Sequence, residues 1–245
     1  MDKDVIGIII AMEEELNEIQ KVVENKETIK IYDLEFIKGT INNTNCIMVK
    51  CGVGKVNAGR VTQILIDKFS PLYILNLGTA GAINESLNIG DVIIAHKVVQ
   101  HDFDITAFNH QKGYIPNVGV FMESDEELIK KSKTLINQFK KEKDYINDEI
   151  NKRNSDFSID LGVVASGDIF CESKKMKEKI YTKFNADVVD MECAAISQVA
   201  KLCGIPFLTI RCISDIPNGK NNYTFDENLE FASYRCSLIL KKICE

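Results

Sequence analysis

Carboxylates that follow apolar runs are the residues of this 245-residue chain best suited to chemistry. Four segments combine small and acidic residues after such runs: 11–15 (Ala-Met-Glu-Glu-Glu), 78–82 (Gly-Thr-Ala-Gly-Ala), 190–192 (Asp-Met-Glu) and 214–215 (Ser-Asp). Ligands of open α/β sheets bind outside the carboxyl ends of the strands, where such carboxylates could act as general acid and base. Acidic residues at strand ends also cap helices, and we prefer that interpretation for Glu13 and Glu14. For Asp215 the pattern alone supports both interpretations equally.

The glycine segment at 78–81 follows a predicted strand and could offer backbone amides to an anion or to a ligand hydroxyl. Its spacing matches neither the dinucleotide-binding fingerprint nor the P-loop, so those two classes of protein are excluded. Taken singly, each of these motifs is a weak signal.

The elements that must position these residues alternate between β-branched apolar runs and stretches of helical period, which is typical of an α/β fold. We predict strands at 5–11, 28–41, 45–50, 73–77, 91–100, 161–165, 187–189 and 206–212. We predict helices at 13–25, 55–69, 124–143, 191–202 and 225–243. One domain is expected over 1–245, with a charged surface excursion at about 140–158.

Composition narrows the classes of partner. The chain has 30 Lys+Arg against 36 Asp+Glu, a net charge of −6, and only four of the basic residues are arginine. This charge argues against a nucleic-acid binder and favours a small-molecule partner. The eight cysteines form no Cys-x-x-Cys and have no histidine at ligand spacing, so we expect reduced core thiols and no metal site. No signal peptide or membrane-spanning run is visible, which predicts a soluble, cytoplasmic protein without membrane contact.

The order of the motifs is more specific than any one of them. The series consists of 11–15, 52–56 (Gly-Val-Gly-Lys-Val), 78–81, 101–108 (His-Asp-Phe-Asp-Ile-Thr-Ala-Phe), 166–168 (Ser-Gly-Asp), 190–192 and 211–215 (Arg-Cys-Ile-Ser-Asp). From about residue 5 to residue 243 the chain resembles the 5′-methylthioadenosine/S-adenosylhomocysteine nucleosidases of the purine and uridine phosphorylase superfamily. The resemblance implies a nucleoside-phosphorylase-like, three-layer α/β/α fold with a central mixed twisted sheet. It also implies hydrolysis of the bond between adenine and a 5′-thio-substituted ribose, without a cofactor.

The resemblance assigns roles to three carboxylates. Asp215 corresponds to the general acid that protonates N7 of adenine, and Ser214 and the nearby Arg211 are its expected supports. Glu15 corresponds to the base that activates water, and Glu192 to the carboxylate that holds the ribose hydroxyls. An acid and a base on opposite sides of the sugar are the arrangement of inverting glycosidases.

The resemblance also implies a set of binding residues around the substrate. Phe170 and Cys171 match the positions that stack on adenine and bond it through the backbone. Phe108 and Pro116 match residues that complete a neighbouring subunit's 5′ channel, which implies a homodimer. The remaining predicted contacts are beneath the sugar, in the walls and in the floor of the site: Met191, Met12, Val53, Phe225, Thr79, Ala80 and Gly81.

Departures and alternatives accompany this resemblance. Asp190 stands where the family usually has Glu, and Thr79 where Ser is common; both could shift affinity or substrate preference.

A phosphorylase would need arginines near residues 11–15 and 76–78, where none occurs. A futalosine-type hydrolase stays open, as does a non-catalytic binding protein, although the intact set of Glu15, Glu192 and Asp215 argues against the latter.

Overall fold

A computed structural model describes residues 4–139, 141, 157–216 and 224–245. The strands of this part are β1 (Ile6–Ile10), β2 (Glu24–Ile31), β3 (Leu34–Ile41), β4 (Thr44–Lys50), β5 (Ile74–Ala82), β6 (Val92–Gln100), β7 (Phe121–Glu123), β8 (Ile159–Ser166), β9 (Val188–Asp190) and β10 (Phe207–Asp215). Its α-helices are α1 (Glu13–Ile19), α2 (Lys55–Phe69), α3 (Glu126–Phe139), α4 (Lys174–Phe184), α5 (Cys193–Leu202) and α6 (Phe225–Ile243).

All ten strands belong to one mixed sheet, as predicted. Five of them close into a ring in the order β10, β6, β8, β9 and β5, because β10 also pairs with β5. Strands β1, β4, β3 and β2 extend from β5, and β7 pairs with β6. The pairings of β1 and β10 with β5 are parallel, so the carboxyl ends of these three strands meet at one edge.

A layer of helices packs against the apolar side chains on each face of the sheet, which confirms the α/β/α arrangement. Strand β1 shows how, since Ile9 joins the cluster under α2 and α5 whereas Ile8 and Ile10 join the cluster under α1, α3 and α6. A strand buried on both faces lacks polar alternation, as the β1 sequence IGIII does. Helix α4 packs over a third, smaller cluster through Ile180 and Phe184.

Several predicted boundaries were wrong. The helix predicted at 13–25 ends at Ile19 and is followed by a 3-10 turn, and the strand predicted at 28–41 is the hairpin of β2 and β3. The hairpin turns at Tyr32, whose φ is +57°. Strand β2 lies at the edge of the sheet and is mostly exposed. Its first residues are polar or charged, so they show no apolar pattern that would predict a strand. Helix α4 and strand β7 were not predicted.

The charged excursion falls mostly on residues 140 and 142–156, which lie outside the described part of the chain. Its last two residues, 157 and 158, are described. Phe157 is fully buried with the Arg235 guanidinium 4.2 Å from its ring centroid, and the Ser158 amide donates to Asp91. Phe157 and Ser158 therefore contact the rest of the fold.

All eight cysteines are free thiols, and only Cys203 is exposed. Across the described ranges, no helix is both long enough and apolar enough to cross a membrane.

Candidate active site

A cavity of about 230 Å³ opens at the carboxyl ends of β1, β5, β9 and β10. Thirteen of the fifteen residues predicted for the site line it: Met12, Glu15, Val53, Thr79, Ala80, Gly81, Phe170, Cys171, Met191, Glu192, Ser214, Asp215 and Phe225. A larger cavity of about 590 Å³, between the end of β5 and α4, contains none of them. The predicted site residues therefore gather at the smaller cavity.

Glu15 is the glutamate of the acidic run that turns inward. Helix α1 begins at Glu13, so Glu15 is the third residue of its first turn. The side chain of Glu15 folds back over the amino terminus of the helix. Its Oε2 accepts the Ala11 and Met12 amides at 3.2 and 3.1 Å. Its Oε1 accepts the Thr79 amide at 2.7 Å and the Thr79 hydroxyl at 3.0 Å. Four donors thus fix a carboxylate that is only 2% exposed.

Glu13 and Glu14 are exposed residues of the first turn of α1, where negative charge suits the helix dipole. Glu13 pairs with Lys50 at the surface. Their position agrees with the structural role that we preferred for them.

Two glycines of β5 allow the carboxylates to approach the backbone. A Cβ at Gly78 would lie 2.7 Å from Glu15 Oε1, and a Cβ at Gly81 would lie 2.8 Å from Asp215 Oδ2. Both distances are too short for real side chains, so the Gly-Thr-Ala-Gly segment creates room for the two acids on either side of Thr79 and Ala80. Thr79, Ala80 and Gly81 of this segment line the cavity.

Asp215 ends β10, opposite Gly81 and after a register shift that follows Ile213. The Ser214 hydroxyl donates to Asp215 Oδ1 at 2.9 Å, as predicted. Burial raises the pKa of Asp215 above its ordinary value, and the Ser214 hydrogen bond only partly opposes this. A carboxyl group in this environment retains a proton more readily than an exposed aspartate does.

Arg211 does not support Asp215, contrary to our expectation. Its Nη2 donates to Asp190 Oδ2 at 2.9 Å and to the Asn76 side chain at 2.7 Å. The Ser166 hydroxyl and the Cys193 amide also donate to Asp190, at 2.5 and 3.0 Å. Burial opposes the charge of Asp190, but Arg211 and these hydrogen bonds lower its pKa below the ordinary value.

Glu192 lies between β9 and α5, and its carboxylate accepts the Gly54 amide at 2.9 Å. Gly54 has φ of +100°, a conformation that favours glycine and that aims this amide at Glu192. Burial and the neighbouring charge of Asp190 raise the pKa of Glu192 to about 7. Glu192 therefore titrates near neutral pH before any diol is bound.

A charged network joins the turn at Gly54 to the segment that carries Phe170. Lys55 Nζ donates to Asp102 at 2.6 Å, and the Asp168 amide donates to the other oxygen of Asp102 at 2.9 Å. The Lys55 amide donates to Asp168 Oδ1 at 2.8 Å. These bonds connect the neighbourhood of Glu192 with that of Phe170.

Phe108 and Pro116 do not line the cavity of this chain. Phe108 is 75% exposed at a 3-10 turn, and Pro116 is also exposed. Their predicted contact with a neighbouring subunit is not tested by a single chain.

Five further residues line the cavity without having been predicted to do so: Ala11, Ile169, Val189, Asp190 and Arg211. All of them belong to, or directly adjoin, the motifs that carried the resemblance. Extending each motif by one residue would have found Ile169 and Val189, whereas the ion pair of Asp190 with Arg211 joins two different strands and leaves no local pattern.

Within the described residues no group of three or more His, Cys, Asp or Glu side chains could hold a metal ion.

The three described arginines all have partners in the fold. Arg60 pairs with Asp33 at the surface, and Arg235 lies against two phenylalanine rings and donates to the Gly90 carbonyl. Arg153 lies outside the described residues. Arg211 alone among the described arginines lines the cavity, paired with Asp190.

Comparison with known proteins identifies the class and then the family. A family model described as the phosphorylase superfamily matches residues 5–244. A 5′-methylthioadenosine/S-adenosylhomocysteine nucleosidase of Staphylococcus carnosus is 39% identical over 236 residues, 96% of each chain. A crystal structure of the Helicobacter pylori nucleosidase of the same name has a TM-score of 0.87 at 32% identity and covers 99% of this chain and 98% of its own. A structure named futalosine hydrolase of Helicobacter pylori also has a TM-score of 0.87 at 32% identity, covering 98% and 97%.

These matches place the chain in the phosphorylase superfamily and, within it, in the family of the 5′-methylthioadenosine/S-adenosylhomocysteine nucleosidases. The resemblance inferred from the motifs, the fold class and the binding of a small-molecule substrate are thereby confirmed.

Proposed function

We propose that this cavity hydrolyses the N-glycosidic bond of 5′-methylthioadenosine and S-adenosylhomocysteine, with Asp215 as acid and Glu15 as base. The products are adenine and the 5′-thio-substituted ribose, as methionine salvage and methyl-donor recycling require. The observation that carries the proposal is the contrast between two carboxylates of one cavity, one with a raised pKa and one held by four donors.

The acid step takes place at Asp215. As the bond between C1′ and N9 breaks, negative charge develops on the departing purine, and a proton from Asp215 to N7 neutralises it. The raised pKa of Asp215 supports this role because a general acid must hold its proton near the operating pH. Ser214 orients the carboxyl group through Oδ1.

The base step takes place at Glu15. Its carboxylate takes one proton from water while the water oxygen forms the new bond to C1′, so the atoms of hydrolysis balance. The hydrogen bonds from the amides of Ala11, Met12 and Thr79 hold the carboxylate in one orientation and oppose its rotation. Fixed orientation of a reacting group removes part of the entropic barrier.

The electrostatics favour water over phosphate as the nucleophile. Phosphorolysis would bring a dianion close to Glu15 and Glu192, and the one arginine that lines the cavity is already paired with Asp190. Phosphorylases use unpaired arginine forks for this purpose.

The 5′ side of the site is proposed to be completed by a second copy of the chain. Val53 is 49% exposed at the edge of the cavity, and Phe108 presents its ring to solvent elsewhere on the same chain. A homodimer in which Phe108 and Pro116 cover the neighbour's 5′ channel would bury these apolar side chains.

Adenine release from 5′-methylthioadenosine, measured with and without phosphate, tests the proposal. We expect equal initial rates under both conditions, and strict dependence on phosphate would contradict hydrolysis. Glu15→Gln should lose activity, whereas Glu13→Gln, a matched change in the same acidic run, should keep it.

The structural neighbour named futalosine hydrolase favours a second candidate substrate. A panel of nucleosides that differ only in the 5′ substituent separates the candidates by kcat/KM.

A further inference from the structure

Another cavity, of about 470 Å³ and distinct from the one of about 590 Å³, lies beside the catalytic cavity, and Ile169 lines both. We call it the second cavity. It is bounded on one side by the segment that follows β6 and on the other by α4 and the residues before it. The segment includes His101 and Asp102, the part of the sequence motifs to which the proposed reaction assigns no role. Asp102 faces this cavity while it holds Lys55 and the Asp168 amide.

The charge of this second cavity is opposite to that of the whole chain. Lys175, Lys179 and Lys183 recur every fourth residue along one face of α4, and Lys112 faces them from the other side. Lys112 lies 3.8 Å from Asp104. Asp104 also attracts Lys179, and among the described residues no carboxylate lies within ion-pair distance of the other three lysines. Like charges four residues apart destabilise a helix, so a bound anion would relieve this repulsion.

His101 and Ser173 also line the second cavity. His101 is 4% exposed, and its Nε2 is buried without a hydrogen-bond partner among the described residues. Burial lowers the pKa of His101, which favours the neutral imidazole, and the Nε2 edge of the ring packs against Gly167. Ser173 caps the eleven-residue helix α4 and accepts the Met176 amide at 3.3 Å, which leaves its own hydroxyl hydrogen for a ligand. The amino terminus of a helix also favours anions.

We propose that this second cavity binds a small oligophosphate, either free or as the phosphate end of a nucleotide. Lysine ammonium groups act as compact charges toward phosphate, and four of them exceed what one monovalent anion requires. The volume exceeds that of a single phosphate group. The site is separate from the catalytic carboxylates and supplies no nucleophile, so the proposal does not depend on the proposed function.

Titration calorimetry with inorganic pyrophosphate at low ionic strength tests the site. We expect saturable binding that weakens as salt increases, because the contacts are partly exposed charges. The double variant Lys179→Gln/Lys183→Gln should weaken binding by about tenfold or more. The control Lys68→Gln/Lys133→Gln removes two exposed lysines of α2 and α3 and should leave binding within about twofold.

Thermal unfolding curves of both double variants establish that they are folded. Cytidine diphosphate, which carries no adenine, distinguishes the two sources of phosphate, and lysine-dependent binding of either compound supports the proposal. The proposal is overturned if wild-type protein gives no saturable heat, or if both double variants lose affinity equally. Competition between pyrophosphate and adenine for one site would also overturn it, since the anion would then lie in the catalytic cavity.

Discussion

Asp215 and Glu15 are two carboxylates of one small cavity, and their surroundings differ in the number of hydrogen-bond donors. Asp215 receives a side-chain hydrogen bond from its neighbour Ser214, and burial raises its pKa. Glu15 receives four hydrogen bonds, three of them from backbone amides. Burial with a single side-chain donor favours the protonated form of Asp215, whereas four donors fix the orientation of the Glu15 carboxylate.

Glu192 is intermediate between these two. It accepts one backbone amide, from Gly54, and its anion is destabilised by burial and by Asp190. A diol that donates two hydrogen bonds would favour its charged form. The three acids of the cavity therefore differ in how many donors the protein supplies and how many the substrate must supply.

Removing the acid should have the largest effect. Asp215→Asn keeps the shape of the side chain but cannot donate an acidic proton to N7, and we expect kcat for adenine release to fall by about 10²–10⁴-fold. Equilibrium binding of 5′-methylthioadenosine should persist. Asp226→Asn, on the exposed first turn of α6, is the control, and near-normal turnover by Asp215→Asn would exclude the acid role.

Removing the base should come next. Glu15→Gln loses the negative charge that accepts the proton of water, and its amide nitrogen would face donors instead of acceptors. We expect kcat to fall by about 10²–10³-fold, with Glu13→Gln unchanged. A loss of similar size in Glu13→Gln would show that general charge in the run matters more than the position of Glu15.

Glu192→Gln should act on the sugar end. We expect KM for nucleosides to rise by roughly tenfold or more, because the diol loses a charged acceptor, while binding of free adenine stays within about twofold. Equal losses for nucleoside and adenine would indicate that Glu192 has a structural role.

The stability of the substrate-free protein should depend on Glu192 in a defined pH range. Its pKa is about 7 in the folded chain and near 4.3 in an unfolded one. Its contribution is complete below the unfolded pKa and is lost as the pH rises through the folded pKa, by a few kcal/mol at most. Melting curves from pH 5 to pH 8 should show wild type losing stability relative to Glu192→Gln, and a constant difference would contradict the raised pKa.

The smallest effect should come from the network that links the two ends of the cavity. Asp168→Asn weakens the acceptor of the Lys55 amide without touching a reacting group. We expect KM to rise a few-fold with little change in kcat, since Gly54 and Phe170 would be held less firmly. A large fall in kcat with unchanged KM would place Asp168 in the chemistry instead.

The sequence predicted the edge of the sheet where the acids meet because the strands that lead there are uninterrupted apolar runs. The start of β2 at Glu24 and its separation from β3 were missed because the exposed residues of β2 have no such pattern. The prediction that Arg211 supports Asp215 was wrong for a related reason. Its partner Asp190 lies on another strand, and nothing in either segment indicates which carboxylate a buried guanidinium will reach. The lysines around the second cavity likewise meet only through the packing of α4.

The most direct test of the contrast between Asp215 and Glu15 uses a p-nitrophenyl riboside that carries the 5-methylthio group. Its leaving group is p-nitrophenolate instead of adenine. This leaving group departs without a proton, whereas attack by water is still required. The account predicts that Asp215→Asn cleaves this substrate at a rate close to that of wild type, whereas Glu15→Gln remains impaired by about 10²-fold or more. Equal impairment of both variants would contradict the assignment of acid and base.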